Sequence, residues 1–448
     1  AFHFTGKNVN IIWDDMNTDF SVRNLLCVLQ QNSIRRIIKI IPHFIKCMRL
    51  SDYSDIEVSL PPSFRIDHLV RKNKIIHYRG EVYSKGEEDF ANTVEKKIKN
   101  TARHIQSFLN NNRPSYIIVG GGGYGASGIW LELARPMNIR VATIDAGFSI
   151  LLISTDGIAA NLEDIERAFK LLPEEDSPWI IAEAQQELQK RVHGEDQFTS
   201  QIAQPGGDVG KFGVLLPLNQ SYDLSALERH NVFGSQTEWL LETIDWVLKN
   251  SSENVVVRRH PIERFPQFRS NDDYQKSIME RFGKNDRIFF VDSGADINTY
   301  DLIEKAKVVV PYVSTVGIEA AALGKIVVTE GRSCYANLGF VWYAQNREEY
   351  FDYLDRALKG VLKVSEKQRE DAWRCYYLSQ CCNFYQTVFT PMPTDFDKWV
   401  LEKPEELLSK QEVLDIVAAI DNNIPLSILV HNKKKLQRVE RNATPLLG

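Results

Sequence analysis

The sequence predicts an α/β protein with two Rossmann-like parallel-sheet halves and a helical C-terminal tail. Three observations predict it. Short apolar strands alternate with amphipathic helices through the first part of the chain. After a break at Gln204-Pro-Gly-Gly-Asp208 the same alternation restarts. Beyond Arg347 the strand pattern ends and a helical one runs to about Asp421. A chain of 448 residues is too long for one core. The expected domains are 1–205, 211–345 and a helical extension over 346–448.

In chain order, residues 9–13 read as a first strand ending in Asp14-Asp15, and helical patterns follow at 20–31 and 35–49. Residues 75–78 read as a short strand and 88–111 as a long amphipathic helix. A buried strand at 115–119 leads into the glycine loop 120–123, a helix to about 135 and a strand at 140–144. In the second half the strands are 212–216, 254–258, 287–291, 308–310 and 325–328, with helices such as 237–249 and 273–282 between them.

The formal net charge of −5 argues against broad nucleic-acid binding. Six cysteines fall in no zinc spacing, so no metal site is expected and reduced thiols in a cytoplasmic protein are. Residues 1–7 lack the apolar core of a signal peptide, and no 18-residue apolar run predicts a membrane-spanning helix. Residues 424–430 are apolar and 431–438 basic. That pairing has two readings, a peripheral contact with the inner-membrane face or an ordinary terminal helix with a solvated tail.

The most informative motif is Pro311-Tyr-Val-Ser-Thr-Val-Gly-Ile-Glu319, which follows an apolar strand and leads to Gly324-Lys325. Ser314 and Thr315 at a helix start form an anion site, and Glu319 about one turn on offers an acceptor for ribose hydroxyls. Arg258-Arg-His-Pro261 ends another strand, where proline stops the strand and aims His260 at the ligand side. Past the first strand of the second half, Asn219, Gln220, Asp223 and Ser225 bring polar groups to the same side, with helix capping as the bland reading of Asp223. Asp145, in Thr143-Ile-Asp-Ala-Gly-Phe148, ends a strand of the first half. Two carboxylates facing one another suit glycosyl transfer. Gly331-Arg-Ser-Cys-Tyr-Ala-Asn-Leu-Gly339 is either a loop over the ligand or a surface loop. Gly123-Tyr-Gly-Ala-Ser-Gly128 is a formal dinucleotide fingerprint with Asp145 downstream, although it sits too far into the chain to open its domain.

These segments resemble the capsular-polysaccharide synthesis transferases that add β-linked Kdo from CMP-Kdo, retaining enzymes of GT-B architecture. The match runs over roughly residues 115–345. It rests on Ile144-Asp-Ala-Gly-Phe148 with Thr155-Asp-Gly-Ile158, Asn219-Gln-Ser-Tyr-Asp-Leu-Ser225, His260-Pro261, Ser314-Thr-Val-Gly-Ile-Glu319 with Gly324-Lys325, and Gly331-Arg-Ser-Cys-Tyr335 with Gly339. Asp145 stands where the family has Glu, Ala146 where it has a second acid, and Asn219 where Gln is usual. The resemblance implies a GT-B fold with the active site between its halves. It also implies double displacement, with Asp223 attacking the anomeric carbon and Asp145 deprotonating the acceptor. His260, Ser314 and Thr315 then hold the CMP phosphate and Glu319 the ribose. Arg258, Arg259, Asn219, Gln220, Ser225 and Lys325 complete the donor site. No metal or cofactor is implied, CMP-Kdo being the donor substrate and a bacterial glycan or glycolipid, a capsule linker or an O-antigen end, the acceptor. An inverting CMP-sialic-acid type transferase shares the anion site but needs no nucleophile. An NAD(P)-dependent oxidoreductase on the 123–128 loop and a non-catalytic sugar-nucleotide-binding subunit are the other readings.

Overall fold

The computed structural model describes residues 12–13, 48–54, 58–83, 86–147, 150–195, 208–386 and 410–443. Asp14-Asp15, the expected helix at 20–31, most of that at 35–49, Cys27, Cys47, Phe148 and residues 204–207 of the expected linker lie outside them. The strands are β1 (Ile12–Trp13), β2 (Met48–Arg49), β3 (Tyr116–Gly120), β4 (Arg140–Gly147), β5 (Ile150–Ser154), β6 (Val214–Pro217), β7 (Val255–Arg258), β8 (Ile288–Val291), β9 (Val308–Val309), β10 (Ile326–Thr329), β11 (Trp342–Tyr343) and β12 (Tyr385–Gln386). The class is α/β with a helical C-terminal region, as expected.

The chain forms two compact units, and both are discontinuous. One comprises residues 1–73, 88–164 and 382–448, the other 74–87 and 165–381. These edges differ from 205 and 345 for a packing reason. The helices Ser177–Val192, Val316–Ala322 and Glu366–Tyr376 stack on one another, which draws residues from both sides of the second sheet into its unit.

The first unit has the sheet order β12-β5-β4-β3. Only β3 and β4 are parallel, while β4–β5 and β5–β12 are antiparallel. The expectation of two parallel sheets is corrected here. β4 runs on to Gly147 and β5 begins at Ile150, which leaves too few residues for a parallel crossover. One face is covered by the C-terminal helices, where Ala419, Ile420 and Leu426 pack with Ala142, Leu151 and Ile153. The apolar half of the terminal segment therefore serves this core, and Leu436 and Val439 stand exposed among the basic residues further along the helix Leu426–Ala443. No helix among the described residues is long and apolar enough to cross a membrane.

Residues 75–78, expected as a strand, end the helix Ile66–Tyr78. Leu69, Lys72 and Ile75 are buried at helical spacing, so the apolar pair at the end belongs to a helix stripe.

The second unit is built on a six-stranded parallel sheet of order β11-β10-β9-β6-β7-β8. β6, β7, β9 and β10 are apolar runs rather than alternations, as strands covered on both faces must be. Val214, Leu216, Val255, Val257, Trp239 and Leu240 lie at the heart of the core. The order reverses at β6, whose neighbours β7 and β9 continue in opposite directions. Ligands of open α/β sheets bind beyond the carboxyl ends of strands at such a switch point.

Candidate functional site

The loops after β6, β7, β9 and β10 leave the same edge of the second sheet. Asn219 and Asp223 follow β6, His260 follows β7, Ser314 and Thr315 follow β9, and Glu330 follows β10. The structure thus gathers most of the residues singled out in this half of the sequence at the switch point. Side-chain contacts tie the loops together. The Asn219 side-chain oxygen accepts from the Val313 amide at 3.4 Å, and the Asn219 backbone exchanges two hydrogen bonds of 3.0 Å with the Gln236 side chain. Tyr335 donates to the Ser314 carbonyl at 2.8 Å, which brings the 331–339 loop onto the Ser314 turn. Gly331 permits this approach, since a Cβ there would lie 2.4 Å from the Tyr312 carbonyl oxygen.

Asp223 caps the short turn Leu224–Ala226, its Oδ1 accepting from the Ser225 amide at 3.1 Å. The capping reading of Asp223 is thus realised in the structure. Gln220 donates to the Phe268 carbonyl and Ser221 to the Asp272 carboxylate. These bonds fix the loop just before Tyr222.

His260 accepts from the Ile262 amide through Nδ1 at 3.3 Å. Burial, with the positive charges of Arg258 and Arg191, pushes its pKa down to about 4. The ring is therefore neutral at pH 7, and with Nδ1 accepting, its proton sits on Nε2. It is a neutral hydrogen-bond donor rather than a cation. Ser314 is nearly buried and its hydroxyl accepts from the Val316 amide at 3.3 Å. Glu319 is 1% exposed, with Oε2 accepting from Tyr300 at 2.9 Å and Oε1 lying 3.4 Å from Arg191 Nε. Oε1 has this ion pair but no hydrogen bond. Burial and the Glu319 charge push the Tyr300 phenol well up, so it stays a donor.

Both arginines make hydrogen bonds within the second unit. Arg258 is 1% exposed and donates to the carbonyls of Asp292 and, at 3.2 Å, Ile297. Burial, then Arg264, pushes its pKa down to about 10. Arg259 holds Glu263 at 2.7 Å, the Ser270 carbonyl and hydroxyl at 3.3 Å, and the Asp272 carbonyl at 3.1 Å. Lys325 sits at the amino end of β10, the opposite edge of the sheet, and donates to the carbonyls of Glu304 and Ala306 at the end of the helix Thr299–Lys305.

Asp145 lies within β4, paired with Leu152, two residues before the strand ends. It belongs to the first unit, as does the 123–128 loop. There Gly128 lets Leu69 approach to 3.0 Å of where a Cβ would stand, which is a packing use of the glycine. β3 is the edge of its sheet and β4's other neighbour is antiparallel, so the described strands do not form the pair of βαβ units a dinucleotide site needs. No group of three or more His, Cys, Asp or Glu that could hold a metal occurs among the described residues.

Several residues at this edge escaped the sequence reading. Glu330 is fully buried, with His230 Nδ1 at 2.6 Å and the amides of Asn231 and Val232 at 2.9 and 3.0 Å. His230 stacks on Tyr312 at 3.9 Å, and Tyr312 accepts from the Arg229 amide at 2.7 Å and donates to the Ala226 carbonyl at 3.1 Å. From the far end of the helix Ile66–Tyr78, Arg79 donates to Tyr222 at 2.9 Å, and Glu81 accepts from the Gln236 amide at the start of the helix Gln236–Asn250. The segment 219–232, which carries Asp223, is thus pinned along its whole length.

Residues 176–359 match the family model described as "Capsule polysaccharide biosynthesis protein". The resemblance to capsule-synthesis proteins holds across that segment. It covers less than half of the chain and contains His260, Ser314, Glu319 and Asp223. Protein FixF of Sinorhizobium fredii is 30% identical over 156 residues, which is 34% of this chain. The match takes in 33% of that relative, so the chain spans about a third of its length. Among solved structures, Thermosulfurimonas dismutans KpsC as β-Kdo 2,4 transferase aligns at TM-score 0.37 and 15% identity, over 59% of this chain and 80% of that one. KpsC of the same organism as β-Kdo 2,7 transferase aligns at 0.36 and 17%, over 61% and 80%. Structural similarity at this level is remote.

Proposed function

We propose that the chain is a glycosyltransferase of polysaccharide biosynthesis that uses CMP-Kdo and retains the β configuration. The observation that carries the reading is the convergence of Asp223, His260, Ser314 and Glu319 at one switch point, inside the segment that matches the capsule family. Ser314, Thr315 and the Nε2–H of His260 donate to the phosphate of CMP, the leaving group whose growing charge is the main electrostatic demand of the reaction. Glu319 Oε1, which has no hydrogen bond of its own, accepts from the ribose. A carboxylate oxygen of Asp223 forms a bond to the anomeric carbon as the carbon–phosphate oxygen bond breaks. An acceptor hydroxyl then displaces Asp223 and gives its proton to a base, for which Asp145 is the candidate. The acceptor is a bacterial surface glycan or glycolipid, reached from the cytoplasmic side.

One observation favours a second reading. Asp223 is hydrogen-bonded as a cap, which is the state of a carboxylate that positions a loop, and an inverting CMP-sialic-acid type transferase needs no nucleophile there. Intact-protein mass spectrometry after incubation with freshly generated CMP-Kdo separates the two. The retaining reading expects an increment of one Kdo in the wild type and none in Asp223→Ala. CMP released only when acceptor is present, with no increment, would establish single displacement instead.

A further inference from the structure

The turn that delivers Asp223 is held by residues from outside its own segment. The Asp223 amide donates to the Gln220 carbonyl at 3.1 Å, which closes a tight turn with Ser221 and Tyr222 at its centre. Ser221 is tied to Asp272, and Gln220 to the Phe268 carbonyl. Tyr222 is tied to Arg79, 143 positions earlier in the chain. Arg79 Nη2 donates to the Tyr222 hydroxyl at 2.9 Å and to the Gln267 carbonyl at 2.7 Å. Its guanidinium carbon lies 4.9 Å from the centre of the Tyr222 ring. All of these residues belong to the second unit.

The backbone points to a use for the side chain at position 79. Arg79 follows the helix Ile66–Tyr78 with a φ of 53°, in the left-handed region where helix ends favour glycine or asparagine. An arginine there is strained, and such strain persists only where the surroundings hold it. The Asn271 amide donates to the Arg79 carbonyl at 2.7 Å, and the Asn271 side chain donates to the Tyr78 carbonyl at 2.7 Å. At Gly80 a Cβ would stand 2.8 Å from Asp272 Oδ1, so the next position is closed to a side chain. The amides of Glu81 and Val82 donate to that same carboxylate at 3.0 Å. Residues 79–82 thus lie against Asp272, and the Arg79 side chain reaches on to the turn that carries Asp223.

We propose that Arg79 is a positioning residue for Asp223. By gripping Tyr222 it fixes the peptide that leads into Asp223, and with it the direction in which the carboxylate leaves the backbone. The inference rests on the reading of Asp223 as the nucleophile. It adds a residue far from any motif, in a segment that the sequence assigns to the first half of the chain.

The test uses Arg79→Gly and Arg79→Lys in the full chain and reads three quantities. Glycine suits the left-handed backbone, so Arg79→Gly removes the side chain without adding strain. Hydrogen exchange of peptides covering residues 219–226 should become about tenfold faster in that variant, while those over β9 and β10 keep their wild-type rate. The rate at which intact-protein mass spectrometry shows one Kdo added from freshly generated CMP-Kdo should fall about 10- to 100-fold, from the size of charge-assisted bonds. CMP affinity by isothermal titration should stay at the wild-type value. Arg79→Lys, which keeps a cationic donor, should recover part of the rate. Unchanged exchange, an unchanged adduct rate, or a loss of CMP affinity as large as the loss of rate overturns the assignment while leaving the nucleophile reading intact. A wild type that forms no adduct overturns that reading and the role of Arg79 with it.

Discussion

Replacing Glu330 by alanine should release the segment that carries Asp223, and the size of the effect follows from three contacts. The buried carboxylate accepts from the amides of Asn231 and Val232 at 2.9 and 3.0 Å and meets His230 Nδ1 at 2.6 Å. Hydrogen bonds to a charged group contribute about 1.5–3 kcal/mol each, and alanine removes the acceptor of both amides. At the lower figure the three together come to roughly 4.5 kcal/mol. Local opening around Asn231 and Val232 should then become easier by about three powers of ten, since 1.4 kcal/mol is a factor of ten. Hydrogen exchange read by mass spectrometry measures this directly. It also avoids assuming that a chain of two compact units unfolds in one step. Peptides covering residues 226–234 should exchange about a thousandfold faster in Glu330→Ala. Those over β6 and β7 should keep their protection. Glu330→Gln, which retains an oxygen for the two amides, should fall in between. Unchanged exchange in Glu330→Ala would show that the segment is held by its other contacts, and the reasoning would be wrong.

The low pKa of His260 has a consequence for stability. Between its folded value of about 4 and its ordinary value near 6.5, the unfolded chain binds a proton that the folded one does not. Stability from this site is complete above about pH 6.5 and is lost as pH falls toward 4, by at most about 3 kcal/mol. His260→Gln should flatten the pH dependence of the urea midpoint in that window, and an unchanged slope would contradict a buried neutral imidazole. Gly331→Ala should lower the melting temperature by the equivalent of about 1–3 kcal/mol, because its Cβ would stand 2.4 Å from the Tyr312 carbonyl oxygen, which is backbone and yields little. Lys325→Met should leave CMP affinity at the wild-type value, since the ammonium caps carbonyls at the far edge of the sheet. A tenfold loss in titration would return Lys325 to the donor site.

The second sheet was legible because its strands are short apolar runs bounded by turn residues, and because a parallel sheet puts the ends of such strands on one edge. That makes the place of His260, Ser314 and Asp223 at one edge of the sheet readable from the sequence. The mixed sheet of the first unit was not legible, since β5 is as apolar as a parallel strand and nothing in its own residues sets its direction against β4. Arg258 and Arg259 illustrate another limit. Strand alternation separates two faces, but it does not show that both guanidinium groups will be needed to satisfy loop carbonyls. Lys325 was drawn to the site by its place in a motif, and the fold puts it on the side where strands begin. Arg191, Glu330, Glu81 and Asp272 gave no signal because each acts on a segment far away in sequence, and isolated charged residues look like solvated surface. Residues 75–78 resemble a short strand in isolation, whereas the buried stripe through Leu69, Lys72 and Ile75 has the period of a helix.

The discontinuity of the two units bears on how the chain is made. All the residues of the second unit have been polymerised once residue 381 is in place, whereas the first still awaits residues 382–448. Until those arrive, β5 has no β12 to pair with, and Ala142, Leu151 and Ile153 lack Ala419, Ile420 and Leu426 to cover them. At ordinary translation rates that interval is on the order of 3–13 s. A nascent chain in this state carries one finished α/β body and one open sheet with an unpaired apolar edge, the kind of surface that associates with copies of itself. Slow or interrupted synthesis between residues 382 and 448 should therefore lower soluble yield far more than the same pause before residue 165.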